Sequence, residues 1–152
     1  MNDKITPCLW FEKDLAQVIE YYTSIFQKKL QVSYLGEREY GPGGEYQYGT
    51  IEIFGKSYQM LAAGPMFRFT EAISLTIMCE DQAEVDYYWK SLTKNGGSES
   101  MCGWCKDRYG LSWQIIPKKL LEIQMSTDKQ KRDYGISQMF QMKKIIIQDL
   151  EL

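Results

Sequence analysis

The sequence predicts an α+β fold made of two tandem βαβββ modules, and three observations predict it. Gly110, Ser112, Trp113 and Gln114 repeat Gly55, Ser57, Tyr58 and Gln59, with Ile115-Ile116 matching Met60-Leu61. Shifting Asp14, Ala16, Val18, Tyr21 and Ser24 by 67 positions lands on Asp81, Ala83, Val85, Tyr88 and Ser91. Each half reads strand, helix, then several strands. A doubly wound parallel sheet would need a helix between most strands instead.

The elements follow in order. Ile5 to Phe11 is a short apolar run beside a turn signal, so a strand is expected. Asp14 with Gln17 resembles a capping box. Leu15, Val18, Ile19, Tyr22, Ile25 and Phe26 then recur at three- and four-residue steps, one apolar stripe on a helix. Leu30 to Leu35 reads as a strand. Residues 36–49, rich in Gly, Tyr and Glu, read as a loop or hairpin tip around Gly41-Pro42-Gly43-Gly44. Thr50 to Phe54 and Ser57 to Ala62 are strands joined by Gly55-Lys56. In the second module Ala72 to Cys79 is a strand. Asp81 with Glu84 caps a helix striped by Val85, Tyr88, Trp89 and Leu92, and Asn95-Gly96-Gly97 ends it. Shorter strands near 98–106 and Leu111 to Ile116 complete the module before Pro117. A final helix over 126–142 is expected, capped by Ser126 or Thr127, with Ile136, Met139 and Phe140 inward and Gly135 weakening it. Module 1 spans about 4–64, module 2 about 70–117, and a helical extension about 118–152, within one domain of 152 residues.

Composition narrows the function classes. Net charge is −2 with mixed signs, which points to neither nucleic acid nor an anionic membrane. No apolar run approaches the roughly 20 residues needed to span a bilayer. Met1-Asn2-Asp3-Lys4 has no signal-peptide layout. Four cysteines read as reduced thiols of a cytoplasmic protein rather than a disulfide framework. The chain has no histidine, so Ser-His and Cys-His nucleophile activation and imidazole metal ligation are excluded. No Gly-x-Gly-x-x-Gly or phosphate-loop pattern follows a strand, and no cofactor is expected.

Specific segments carry a family resemblance. They are Ile5-Thr6-Pro7-Cys8-Leu9-Trp10-Phe11, Gly64-Pro65, Phe67-Arg68-Phe69-Thr70-Glu71-Ala72-Ile73-Ser74, Cys102-Gly103-Trp104, Lys106-Asp107-Arg108-Tyr109-Gly110 and Ser112-Trp113-Gln114-Ile115-Ile116-Pro117. The tail Gln141-Met142-Lys143-Lys144-Ile145 shares in it. Together they resemble the PhnB-like group of the vicinal oxygen chelate (VOC) superfamily, often labelled "3-demethylubiquinone-9 3-methyltransferase". That superfamily includes glyoxalase I, extradiol dioxygenases and antibiotic-resistance proteins. The resemblance implies a glyoxalase/bleomycin-resistance-like fold in which modules form a curved, cup-shaped mixed sheet. It also implies metal ligands, usually His or Glu, from the first and last strands of each module, and association of subunits.

Aligning the helix caps puts the first-strand ligand positions at Pro7 and Ser74. Aligning the turns puts the last-strand positions at Gln59 and Gln114. None of these four is a ligand that stable divalent sites favour, so a metal-free protein is expected. Strand alternation puts Ser57, Gln59 and Leu61 on one face, as it does Ser112, Gln114 and Ile116, and Ser74, Thr76 and Met78. Tyr58, Met60, Trp113, Ile115, Leu75 and Ile77 then pack under the helices. One wet face of an antiparallel sheet fits the same alternation. The Gln59/Gln114 pair favours a binding surface, with Gln59, Ser74, Thr76, Gln114, Trp104 and Phe67 as its candidate residues and aromatic side chains as its wall.

Cys102-Gly103-Trp104-Cys105 is a C-x-x-C, but it precedes a turn rather than opening a helix, so ordinary thiols are the favoured reading. The catalytic candidates are Glu71 and Cys102. Three functions remain: a metal-free small-molecule-binding protein, a metal-independent isomerase, lyase or transferase, and a structural dimer module. A methyltransferase receives no support, because no Rossmann motif is present. A homodimer is expected, with residues 36–49, Met139 and Phe140 as contact candidates. A small-molecule ligand is its other expected partner.

Overall fold

The computed structural model describes residues 3–152; the N-terminal Met1-Asn2 lies outside the described residues. The chain divides into two compact units, Met1–Arg68 and Phe69–Leu152.

The first unit holds β1 (Cys8–Phe11), α1 (Leu15–Phe26), β2 (Leu30–Leu35), β3 (Glu39–Gly41), β4 (Gly44–Ile53) and β5 (Lys56–Ala62). Its sheet runs β1-β5-β4-β2, with β3 pairing the outer part of β4. β1 lies parallel to β5, and the other pairs are antiparallel. The first strand is shorter than its apolar run: Ile5 is exposed and lies before β1. Much of the 36–49 segment is a hairpin rather than a loop, because β3 and β4 pair across its Gly41-Pro42-Gly43-Gly44 tip. The β4–β5 turn is Phe54-Gly55, both residues at positive φ (51° and 76°), one residue earlier than Gly55-Lys56. Such turns match the twist of a two-stranded ribbon.

The second unit repeats the order with β6 (Ser74–Cys79), α2 (Gln82–Thr93), β7 (Ser98–Glu99), β8 (Trp104–Lys106) and β9 (Ser112–Pro117). Its sheet runs β6-β9-β8-β7, with β6 parallel to β9. Both helices start as their sequences predict. The Asp14 side chain accepts the Gln17 N–H, and Asp81 accepts the Glu84 N–H. Glu84 reaches back past the cap to accept the Glu80 N–H at 2.6 Å, a variant of the capping box that ties the incoming chain to the first turn.

Helix faces and sheet faces close on each other. Leu15, Val18, Tyr22 and Ile25 of α1 are buried with Ile51, Met60 and Ala62 on one face of the first sheet. Val85, Tyr88, Trp89 and Leu92 of α2 are buried with Ile77, Trp113 and Ile115 on the second.

The extension differs from the expected single helix. It contains α3 (Lys118–Gln124) and α4 (Lys129–Met139). The α4 cap is Asp128, whose side chain accepts the Lys131 N–H, rather than Ser126 or Thr127. Gly135 is a contact point rather than a weakness. A Cβ there would lie 2.5 Å from Ile123 Cγ2, so only glycine lets α4 approach α3. Phe140 is exposed instead of inward, while Met139 packs on the cluster of Leu120, Ile123, Ile145 and Leu150.

Candidate functional site

Each sheet has a second face, opposite its helix. On the first sheet the register pairs Cys8 with Gln59 and Trp10 with Leu61 across β1 and β5, and Thr50 with Gln59 and Tyr48 with Leu61 across β4 and β5. Paired residues share a face, so Gln59 sits between Cys8 and Thr50, and Leu61 between Trp10 and Tyr48. Past a bulge between Val32 and Tyr34, β2 adds Tyr34, which lies 6.2 Å from Tyr48 ring to ring. Phe67 stacks edge-on against Trp10 at 4.9 Å. The Trp10 indole N–H donates to the Gly64 carbonyl at 2.9 Å, which fixes the ring. The Gln59 carboxamide is half-buried and makes no side-chain hydrogen bond among the described residues.

On the second sheet Gln114 lies between Thr76 of β6 and Trp104 of β8, and Ser112 between Ser74 and Lys106. Gln114 Nε2 donates to Ser74 Oγ at 2.7 Å. Lys106 Nζ pairs with Glu71 at 2.5 Å. Ser112 Oγ is buried with no partner among the described residues. Ser74, Thr76, Gln114 and Trp104 therefore come together on one face, while Gln59 and Phe67 belong to the face of the other unit.

One assignment changes. Cys8, not Pro7, is the first-strand residue beside Gln59, because the β1–α1 loop is a residue longer than the β6–α2 loop. Glu12, Lys13 and Asp14 separate β1 from α1, whereas only Glu80 and Asp81 separate β6 from α2. The extra residue is absorbed by Asp14 in the left-handed region (φ 59°), where Asp81 is extended. Helix caps are therefore offset by 67 positions, but the strands by 68, and a one-residue slip in a strand reverses its faces. Cys8 thus corresponds to Thr76. Comparing the buried strand ends Phe11 and Cys79, rather than the caps, finds it.

The donor set does not fit the divalent metal that the superfamily implies. Cys8, Gln59, Thr76 and Gln114 offer one thiol, one hydroxyl and two neutral carboxamides. Partial desolvation raises the thiol of Cys8, an exposed residue, above its ordinary value, which disfavours the thiolate a metal needs. No three His, Cys, Asp or Glu side chains converge to hold a metal among the described residues.

The catalytic candidates are poorly tuned. Hydrogen bonding to Lys106 holds the Glu71 carboxyl below its ordinary value, the opposite of what a base working near neutrality needs. Cys102 sits in a turn at φ 60°. Its would-be partner Cys105 is buried on the helix side, its thiol pushed up to about 12 by desolvation and then by Asp107 and Glu99. All four cysteines are free thiols. A cavity of about 900 Å³ lies elsewhere in the first unit, at the start of α1, lined by Asp14, Arg38, Glu45, Gln47 and Met66 among others.

Two βαβββ modules, the first carrying the short extra strand β3, each with its first strand parallel to its last, define a protein of the VOC superfamily with the glyoxalase/bleomycin-resistance fold. The chain belongs to the family described as 3-demethylubiquinone-9 3-methyltransferase, whose model matches residues 3–116, and to the PhnB-like group within the superfamily. It is similar to a putative 3-demethylubiquinone-9 3-methyltransferase, PhnB protein, from Bacillus cereus: 29% identity, TM-score 0.64, covering 76% of this chain and 99% of that one. Protein PA1353 from Pseudomonas aeruginosa shares the fold at 16% identity and TM-score 0.58, covering 76% and 98%. So does the fosfomycin resistance protein FosX from Mesorhizobium loti, at 11% identity and TM-score 0.54, covering 76% and 91%. No curated protein sequence matches the chain.

Proposed function

We propose that this chain is a metal-free small-molecule-binding protein, in which the sheet surfaces opposite α1 and α2 each offer a binding face and that of the first unit suits a flat, partly aromatic ligand. The observation that carries this reading is Gln59. Its half-buried carboxamide keeps donor and acceptor unused beside Trp10, Phe67, Tyr34 and Tyr48. An aromatic wall with one free polar group suits a planar ligand with a hydrogen-bonding edge. Lys106, Gln114, Ser74 and Trp104 give the second face a more polar character. The family description names a methyl transfer, but the chain has no strand–Gly-rich turn–helix to hold a nucleotide-like methyl donor.

Four free thiols suit a reducing, cytoplasmic setting, and no described helix is long and apolar enough to cross a membrane. The protein works as a homodimer in this reading, because β1 and β6 each have a strand partner on one side only and leave an open edge.

The test combines elemental analysis with a thermal-shift screen of small aromatic and dicarbonyl compounds. Substoichiometric metal is expected, together with a compound that raises the melting temperature. Gln59→Ala should weaken binding of that compound about tenfold, the cost of about one hydrogen bond. Stoichiometric metal lost on changing Gln59 and Gln114, or ligand stabilisation indifferent to Gln59, would overturn the proposal. Light scattering should give twice the 17.8 kDa chain mass.

A further inference from the structure

The match to the family model ends at residue 116, yet the tail beyond it grips the turn that presents Trp104. That turn is strained. Cys102 and Gly103 sit consecutively at φ 60° and 81°, and a non-glycine residue there persists only where its surroundings over-determine it. The tail supplies those surroundings. The Cys102 N–H donates to the Met142 carbonyl at 2.7 Å, and the Gly103 N–H to the Lys143 carbonyl at 2.8 Å. Ile145 is fully buried beside the same turn. A Cβ on Gly103 would come within 3.1 Å of its Cγ1, a tight contact that adds to the strain a side chain would meet at φ 81°.

The tail is held in turn by the burial of Ile145 and by polar contacts to α2, chief among them Gln82. Gln82, the first residue of α2, donates through Nε2 to the Ile145 carbonyl at 3.0 Å and accepts the Ile147 N–H at 2.8 Å. Its carboxamide acts as a short stretch of backbone pairing with the extended tail. Asp86 completes the knot, accepting from Gln82 Nε2 at 3.0 Å and pairing with Lys144 Nζ at 2.7 Å.

We propose that residues 142–147 are a strap that sets Trp104 beside Gln114, and that Gln82 is the positioning residue anchoring it. Gln82 touches none of the ligand-face residues. It acts through the strap, then the Cys102-Gly103 turn, then the first residue of β8. This role rests on the small-molecule-binding reading, whose failure the experiment separates from failure of the strap.

The test uses the full chain labelled with fluorotryptophan, its Trp104 resonance assigned by Trp104→Phe. Gln82→Leu removes both amide bonds at similar bulk. It should shift or broaden the Trp104 resonance, leave those of Trp10, Trp89 and Trp113 in place, and speed amide exchange at Cys102 and Gly103 at least tenfold. Lys144→Ala, which removes only the largely exposed Asp86 ion pair and keeps both Gln82 bonds to the strap, should change either readout far less than Gln82→Leu. If Gln82→Leu fails to fold, Gln82→Glu keeps the acceptor for Ile147 but loses the donor for Ile145, and should give a smaller shift of the same resonance. An unmoved Trp104, or four tryptophans moving together, would overturn the strap. Affinity for the probe 1-anilinonaphthalene-8-sulfonate should fall severalfold in Gln82→Leu, and unchanged affinity with a displaced Trp104 would overturn its part in binding. A wild-type protein that does not bind the probe counts against the binding reading, leaving the strap to be judged by fluorine and exchange alone.

Discussion

The two modules solve one architectural problem with different chemistry. In the first, β4 and β5 are joined by the two-residue Phe54-Gly55 turn at positive φ, where the Phe54 N–H donates to the Lys29 carbonyl at 3.0 Å and its ring lies edge-on to Phe26. In the second, β8 and β9 are joined by a longer turn built around a buried carboxylate. Asp107 Oδ1 accepts the Tyr109 N–H at 2.8 Å and the Leu111 N–H at 3.2 Å, while Oδ2 accepts the Trp113 indole N–H at 2.9 Å. Their glutamines differ likewise. The Gln114 side chain is tied to Ser74, whereas that of Gln59 makes no hydrogen bond among the described residues. The first module has an aromatic face and a two-residue turn. The second has a polar face, and its turns lean on buried side chains and on the strap.

That contrast can be broken by mutation. The largest effect is expected at Gly97 in the second module. A Cβ there would lie 2.0 Å from the Leu92 carbonyl oxygen and 2.7 Å from that of Lys106. Backbone must move, so Gly97→Ala should cost about 4 kcal/mol in urea unfolding. Asp107→Ala should cost about 3 kcal/mol, because it strands three donors in or near the core. If Asp107→Ala unfolds at the wild-type urea midpoint, the carboxylate is not what holds the β8–β9 turn. In the first module a Cβ on Gly55 would meet nothing within 4 Å, and only its φ of 76° is strained by a side chain. Gly55→Ala should therefore cost only about 1 kcal/mol.

The smallest effect is chemical and leaves stability untouched. Cys8 is exposed, whereas Cys79 and Cys105 are buried and desolvation is the main reason each thiol is pushed up to about 12. A thiol-reactive reagent at pH 8 should modify Cys8 in the native protein and reach Cys79 and Cys105 only on unfolding. Because the Cys8 thiol is also raised by desolvation, its modification rate should keep climbing with pH beyond the point where an ordinary exposed thiol levels off. Fast native-state labelling of Cys105 would revive the C-x-x-C as a redox pair.

Much of this was legible in the chain. The Gly-x-Ser-aromatic-Gln repeat located β5 and β9 and their matching faces, because a two-residue period leaves little choice of which side chains are buried. Asp14 and Asp81 located both helix starts through local hydrogen bonds. The register of β1 was not legible. The loop differs by one residue, and Asp14 hides the difference by adopting a left-handed conformation that no local pattern announces. The α3 helix, the Asp128 cap and the role of Gly135 also escaped, since Ser126, Thr127 and Asp128 are all competent caps and a mid-helix glycine reads as a defect until its neighbour is known.

By itself, then, the sequence determined the fold class and the caps of α1 and α2. These depend on residue type and on spacing within a few positions. Only the tertiary structure decided that Cys8 faces Gln59, that Glu71 is tied to Lys106, and that Gln82 holds the tail against the Trp104 turn. Those contacts join residues far apart in the chain, 51 to 65 positions for the Cys8–Gln59 and Gln82–Ile147 pairs. Whether such pairs meet is set by strand register and loop length, which no local pattern encodes.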